Sequence, residues 1–106
     1  MKILFDQGTP VPLRQEFPAD IEVATAYEMG WHTLSNGELI KQAETAFDLL
    51  ITTDQNLRYQ QNLKDRNLAI LVLPTTSWPQ LKPHVQLIVD TATKMSPGAF
   101  QHIELP

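Results

Sequence analysis

The chain has 106 residues, a formal net charge of −4 and 42% hydrophobic residues, enough apolar material for one core and too little for two. It contains no cysteine, which excludes disulfides, thiol catalysis and zinc–thiolate sites. It has no apolar run of the ~18 residues that a membrane span needs, and its first residues are too polar for a secretory signal. We therefore expect one cytoplasmic domain over residues 1–106, with no membrane partner, that meets nucleic acid only through a local basic patch or bound metal ions.

The first part of the chain predicts two strands separated by a short helix. Residues 2–5 form an apolar run that ends at Asp6, which is typical of a buried strand entering a loop. The proline-bounded segment 10–18 predicts a short helix. The alternating, β-branched segment 21–25 predicts a second strand with one wetter face, followed by a loop or a single turn over residues 27–32.

The next helix is the best-marked one. Ser35 with Glu38 three residues later is the pattern of a capping box. The predicted apolar face follows at helical spacing and consists of Leu39, Ile40, Ala43, Ala46 and Phe47. Residues 47–53 then predict a third strand, which also stops at an acid, Asp54.

The second half continues the alternation. Residues 56–63 are polar and predicted to be helical, and residues 68–73 are the most apolar run and the predicted central strand. A helix is expected over residues 77–94 with an irregularity at Pro83, and residues 99–105 predict a last strand at an edge. Alternating strands and helices, with strands buried on both faces, indicate an α/β domain with a mostly parallel central sheet flanked by helices.

Two of the predicted strands end in an acid, Asp6 and Asp54. Ligands of open α/β sheets bind outside the carboxyl ends of the strands, near a point where the strand order reverses. The fold can therefore bring these two carboxylates together, and a cation is the usual reason to assemble like charges. Hard oxygen ligands suit Mg²⁺ or Mn²⁺, which can activate water beside a phosphate. The alternative is that each Asp caps a helix or closes a turn.

Three segments, MKILFDQG, GWHTLSNGELIKQA and LLITTDQNL, resemble the small PIN-like domains related to VapC-type toxins. Members of that family open with a strand ending in Asp-Glu-Asn or similar. They then carry Gly-Trp, a Leu-Ser-Asp-Glu-Glu-Leu helix start and a strand ending in Thr-x-Asp-x-Asp-Phe. The match spans roughly residues 1–75 in the same order. The resemblance implies a PIN-like fold, a divalent-metal site of three or four acids, and endoribonuclease activity in toxin–antitoxin pairs.

By position, Asp6 matches the family's first acid and Asp54 its last, so the resemblance assigns both to catalysis and metal binding. The candidate metal ligands it implies are Asp6, Asp54, Glu28, Glu38, Asn36 and Asn56. Amides stand at Asn36 and Asn56, where the family has acids. An amide can coordinate through its carbonyl oxygen but brings no charge, so the site is expected to be weakened or a relic.

Both glutamates have alternative roles, Glu38 as the capping partner of Ser35 and Glu28 as a solvated loop acid. The candidate nucleic-acid contacts are three cations and two aromatic residues: Arg58, Lys64, Arg66, Trp31 and Tyr59. The cations would meet phosphates and the aromatic rings would stack on bases. The alternatives are a solvated helix face for the cations and packing over the following helix for Trp31.

Three functions follow. The first is a Mg²⁺-dependent (or Mn²⁺-dependent) endoribonuclease, a hydrolase acting on RNA as the toxin partner of a small helix-turn-helix antitoxin. The second is a catalytically degenerate PIN-like domain that acts as a protein-interaction module or homo-oligomer, with residues 100–105 as the candidate contact strand, to be tested by deleting residues 99–106. The third is a phosphoacceptor receiver domain, against which the absence of a lysine after Thr75 and Thr76 counts.

Overall fold

The computed structural model describes residues 1–57 and 66–106; most of the predicted helix 56–63 lies outside these ranges. The strands are β1 (Lys2–Phe5), β2 (Glu22–Thr25), β3 (Leu49–Thr52), β4 (Ala69–Val72) and β5 (Phe100–His102). The α-helices are α1 (Asn36–Ala43), α2 (Trp78–Leu81) and α3 (Val85–Lys94), and 3-10 helices cover Val11–Glu16 and Lys82–His84.

The five strands form one sheet in the order β2-β1-β3-β4-β5, and every neighbouring pair is parallel. This confirms the predicted α/β class with a parallel central sheet. The prediction that residues 68–73 are the central strand is wrong, because β3 occupies the middle and β4 lies beside it. Since β1 leads to β2 on one side and β3 begins on the other, the strand order reverses between β1 and β3. That reversal is the place where sheets of this kind bind ligands.

The sheet has a hydrophobic core on each face, because consecutive strand residues point to opposite sides. One face of β1 and β3, with Ile3 and Ile51 among its residues, packs against the 3-10 helix Val11–Glu16 and against α2 and α3. The other face, which includes Leu4 and Leu50, packs against α1. Residues of β3 and β4 are buried on both faces, as their uninterrupted apolar sequence predicts.

The start of α1 is as the capping pattern predicts, but its end is not where the apolar spacing predicts. The hydroxyl of Ser35 accepts the backbone N–H of Glu38 (3.3 Å), which confirms the cap. The helix ends at Ala43, however, and Ala46 is exposed, so its place on the apolar face is wrong. The N–H groups of Thr45 and Ala46 bond to carbonyls three residues back, and these tight turns carry Phe47 inward.

The last helical segment and the last strand follow the prediction. Ser77 caps α2, and the 3-10 helix Lys82–His84 interrupts the helix at Pro83. β5 pairs only with β4 among the described strands and is an edge. It begins after Gly98, whose φ is +78° and whose missing side chain leaves room for the carbonyl of Arg66.

The described residues fold into one body with a radius of gyration of 12.5 Å, close to the ~13 Å expected for a domain of about 100 residues. None of the helices in residues 1–57 and 66–106 is long and apolar enough to cross a membrane.

Candidate functional site

The Asp6 side chain lies at the carboxyl end of β1, and several donors hold it. Thr9 donates its backbone N–H (3.2 Å) and its hydroxyl (2.8 Å) to Oδ1 of Asp6. The same hydroxyl lies 2.8 Å from the carbonyl oxygen of Ile51, so its single proton is shared between two acceptors. Oδ2 of Asp6 accepts the hydroxyl of Thr52. Since Thr9 and Thr52 are only 3% and 2% exposed, buried hydroxyls fix the orientation of the carboxylate.

One hydroxyl connects the two predicted acids. Oγ1 of Thr52 donates to Asp6 and accepts the backbone N–H of Asp54 at 3.1 Å. β1 and β3 are neighbours with Phe5 opposite Ile51, so Asp6 and Thr52 occupy the next paired positions. The structure therefore places Asp6 and Asp54 at the same edge of the sheet, on the two sides of the strand-order reversal.

Two donors from the described part of the chain bind the Asp54 carboxylate. Its Oδ2 accepts the side-chain N–H of Asn36 at 2.6 Å, and its Oδ1 accepts the backbone N–H of Asn56 at 2.9 Å. Asn36 is the first residue of α1, so this contact ties that helix to the end of β3. A carboxylate at position 36 would repel Asp54 at this distance, whereas the amide donates to it. Asn56 uses its backbone here, and the residue is exposed.

Glu28 is engaged elsewhere, in an ion pair with Arg14. Nη1 of Arg14 donates to Oε2 of Glu28 at 3.3 Å, and Nη2 donates to Oε1. Oε1 also accepts the backbone N–H of Thr25 at 2.9 Å. The hydrogen bond from Arg14, and after it the one from the Thr25 backbone, lower the pKa of Glu28 from its ordinary value of 4.5, because both donors favour the charged carboxylate.

Glu38 also has a local partner, since its carboxylate accepts the hydroxyl of Ser35 at 3.2 Å. Within residues 1–57 and 66–106, no three Asp, Glu, His or Cys side chains lie close enough to hold one metal ion. The structure thus joins Asp6, Asp54 and Asn36 through hydrogen bonds, and it does not gather Glu28 or Glu38 with both aspartates.

Two clefts open beside Asp6. The first, of about 110 Å³, lies toward α1 and includes Asp6, Trp31 and Asn36 in its lining. The second, which we call the Tyr27 cleft, has a volume of about 350 Å³. It is lined by Asp6, Gln7, Thr9, Val11, Thr25 and Tyr27. Asp6 therefore borders open space on two sides, and Asn36, the partner of Asp54, lines the smaller cleft.

The predicted nucleic-acid contacts are not gathered at these clefts. Trp31 lines the smaller cleft, but its half-buried ring also packs edge-to-face on Phe47, with the ring centroids 6.0 Å apart. Arg66 precedes β4 by three residues, so it lies at the amino ends of the strands, opposite the clefts. There it pairs with Glu44 at 2.9 Å. The other three lie outside the described residues: Arg58, Tyr59 and Lys64.

Sequence reasoning missed the threonines that orient the acids. Thr9 and Thr52 are the only buried polar residues among those described, and each contacts Asp6. Their spacing is the available signal, because Asp-x-x-Thr and Thr-x-Asp place a hydroxyl within reach of a carboxylate or its backbone. Gly8 was missed as well, and a Cβ there would collide with the hydroxyl of Thr53.

Within the described contacts, the carboxylates of Asp6 and Asp54 keep lone pairs that a cation could use. A carboxylate oxygen has two lone pairs. In the described contacts, only Oδ1 of Asp6 has both lone pairs occupied, by the backbone N–H and the hydroxyl of Thr9. Oδ2 of Asp6 and both oxygens of Asp54 each keep one. Mg²⁺ commonly binds through one or two carboxylates, with water and substrate phosphate completing its shell.

In comparisons with protein-family models, curated proteins and solved structures, the chain matches none of them. Its function is therefore inferred from its own residues, above all from those at the carboxyl ends of β1 and β3.

Proposed function

We propose that this chain is a Mg²⁺-dependent endoribonuclease of the PIN-like type. The observation that carries the proposal is the coupling of Asp6 and Asp54 through the Thr52 hydroxyl, at the point where the strand order reverses. Each carboxylate also closes a local turn, Asp6 through the N–H of Thr9 and Asp54 through the N–H of Asn56. A cation between them would offset the repulsion of two like charges at one end of the sheet. The resemblance of the strand ends and of the α1 start to PIN-like domains supports the same chemistry.

The chain's own residues supply orientation in this proposal. Asp6 and Asp54 would hold Mg²⁺, which when bound brings Lewis acidity and positive charge to a phosphodiester. Thr9 and Thr52 keep the Asp6 oxygens in place, which limits the reorganisation needed when the substrate enters. With only two carboxylates, Asp6 and Asp54 would hold the ion weakly, and a substrate phosphate would supply a further oxygen ligand.

RNA is the proposed substrate and a small helix-turn-helix antitoxin the proposed partner, as in the toxin–antitoxin pairs whose strand ends this chain resembles. A cytoplasmic location and a homo-oligomeric state belong to the same proposal. The acidic composition supports an RNA contact that depends on the metal, because the net charge of −4 repels phosphates.

The test is RNA cleavage with Mg²⁺ by the wild-type chain and by Asp6→Asn and Asp54→Asn. Each substitution keeps the shape and removes a charge, and we expect cleavage to fall by about 100-fold or more. Asp20→Asn, a change of the same chemistry at an exposed position, is the matched control and should cleave normally. Absence of Mg²⁺ or Mn²⁺ binding by calorimetry at millimolar metal would refute the proposal.

A second candidate function is the degenerate interaction module, and the Asn36 contact favours it. The Asn36 amide occupies one oxygen of Asp54 at 2.6 Å, which gives Asp54 a structural role without metal. A module of this kind would be indifferent to chelators and would associate through its edge strand, β5.

Deleting residues 99–106 is a poor test of that association, because Ile103 is 5% exposed and belongs to the core. His102→Pro is sharper. The N–H of Ile103 donates to the carbonyl of Val72, so in a parallel ladder the N–H of His102 faces away from β4. Light scattering should then show a monomer for His102→Pro if copies pair through this edge. An unchanged mass would count against that surface.

A further inference from the structure

The Tyr27 cleft presents an aromatic ring to solvent beside Asp6. Tyr27 is 71% exposed, the highest value among the exposed large hydrophobic residues described. Its ring contacts that of His32, with centroids 4.9 Å apart and a tilt of 38°. Val11, another exposed apolar residue at 57%, lines the same cleft. The cleft thus has two apolar residues in its lining and a carboxylate beside them.

The segment that carries Tyr27 is held by hydrogen bonds at several points. The N–H of Ala26 donates to the carbonyl of Phe5 and the N–H of Trp31 to the carbonyl of Ala26, both at 2.8 Å. The backbone of Glu28 donates to the hydroxyl of Thr25 at 3.1 Å. The Glu28 carboxylate accepts the backbone N–H of Thr25 and a guanidinium N–H of Arg14. These hydrogen bonds therefore hold the turn in the conformation in which Tyr27 is exposed.

The rest of the cleft lining is neutral and polar apart from Asp6. Gln7, Thr9 and Thr25 contribute an amide and two hydroxyls, and none of the described lining residues is a Lys or Arg. This lining does not suit a phosphate. It suits the planar, neutral part of a ligand that stacks on an aromatic face and bonds through its edge. The volume of about 350 Å³ lies at the lower end of the range for ligand pockets, roughly 300–1,000 Å³.

We propose that the Tyr27 cleft is a nucleobase subsite, in which an unpaired base stacks on Tyr27 and meets Val11 while its backbone passes Asp6. The inference rests on the proposed nuclease function and adds its substrate class, which is single-stranded RNA. A base in a duplex is already stacked and paired, so only an unpaired base can enter. Stacking tolerates any base, because every base has a π face.

The test follows a short single-stranded oligonucleotide by NMR in EDTA, with methylphosphonate linkages that carry no charge for Asp6 to repel and that resist hydrolysis. We expect binding to shift the ring signals of Tyr27 and His32. Tyr27→Ala should weaken binding by about 5- to 150-fold, the range for loss of one stacked base. Tyr27→Phe keeps the ring and should bind as the wild type does. Met29→Ala, on the same turn but outside the cleft lining, is the control.

Two further probes separate stacking from other contacts. An oligonucleotide with the same backbone and no bases should respond equally to wild type and Tyr27→Ala, and a duplex should not shift Tyr27. Equal affinity of wild type and Tyr27→Ala for the single strand overturns the subsite, whatever the cleavage assay gives. So does a loss of self-association in Tyr27→Ala with RNA binding unchanged, which would make Tyr27 a contact between copies. Base-dependent binding without Mg²⁺-dependent cleavage supports the subsite and refutes the nuclease.

Discussion

Thr52 shows how much of the candidate site depends on one hydroxyl. It is 2% exposed, and it serves at once as donor to Asp6 and as acceptor for the backbone of Asp54. A hydroxyl has one proton and two lone pairs. The proton of Thr52 goes to Asp6, and one lone pair accepts the N–H of Asp54. The position of each aspartate therefore depends on the same buried atom.

Thr52→Val tests that dependence, since it keeps the branched shape and removes the hydroxyl. The N–H of Asp54 and one oxygen of Asp6 lose a partner in a part-buried place, which costs about 1–3 kcal/mol. Urea denaturation should show a drop of that size in the free energy of unfolding. Thr93→Val, on the exposed side of α3, loses a bond to the Val89 carbonyl and should stay within about 0.5 kcal/mol. Equal losses for both variants would contradict the special role of Thr52.

The sequence indicated Asp6 and Asp54 because an acid after an apolar run is an abrupt change that a strand end explains. It did not indicate Thr52. Threonine is an ordinary strand residue. Its bond to the Asp54 backbone is local, but its bond to Asp6 forms only when β1 lies beside β3. Which strands are neighbours depends on the strand order of the sheet, and a short sequence pattern does not predict that order.

At the scale of the element, the pair of Arg14 and Glu28 joins the first 3-10 helix to the turn after β2. Glu28 was predicted as a candidate metal ligand or a solvated loop acid. In the structure it accepts from Arg14 and from the backbone of Thr25, and so stabilises the turn that presents Tyr27.

This pair predicts a pH dependence. The pKa of Glu28 is lower in the folded chain than its ordinary value of 4.5. The unfolded chain therefore binds this proton more readily. The stabilising contribution is complete above about pH 4.5 and is lost as the pH falls through the folded-state pKa. Glu28→Gln should lack this term, so the difference in urea midpoint between wild type and Glu28→Gln should shrink from about pH 6 to about pH 3. A constant difference would show that the ion pair does not stabilise the fold.

The helix starts were more predictable than the helix ends. Ser35 and Ser77 cap helices through a side chain that bonds three residues on, and such a motif is complete within a short stretch of sequence. α1 ends at Ala43, and Phe47 then packs on the ring of Trp31, a contact across sixteen residues that no local pattern contains. Periodicity alone therefore extended the apolar face to Ala46.

For the whole molecule, the site exists only because distant segments are assembled around the sheet. Asp6 comes from β1, Asp54 follows β3, and Asn36 starts the helix between them. Asn36 donates to Asp54 at 2.6 Å, so Asp54 has a favourable partner without a metal ion. A third carboxylate at position 36 would instead repel Asp54 unless a cation lay between them. The stability of the entire fold should therefore report on the charge at position 36.

Asn36→Asp should make the stability of the whole chain depend on metal. In EDTA a carboxylate replaces the donor to Asp54 and repels it, so the free energy of unfolding should fall by about 1–3 kcal/mol. Mg²⁺ at ten times its Kd should restore about 1.4 kcal/mol, because it binds the folded state alone. The double variant Asn36→Asp with Asp54→Asn exchanges amide and acid and keeps one hydrogen bond. It has as many carboxylates as the wild type, so at the same Mg²⁺ concentration its response should fall back to that of the wild type. Asn36→Asp as stable as wild type in EDTA would mean that the contact with Asp54 does not stabilise the fold.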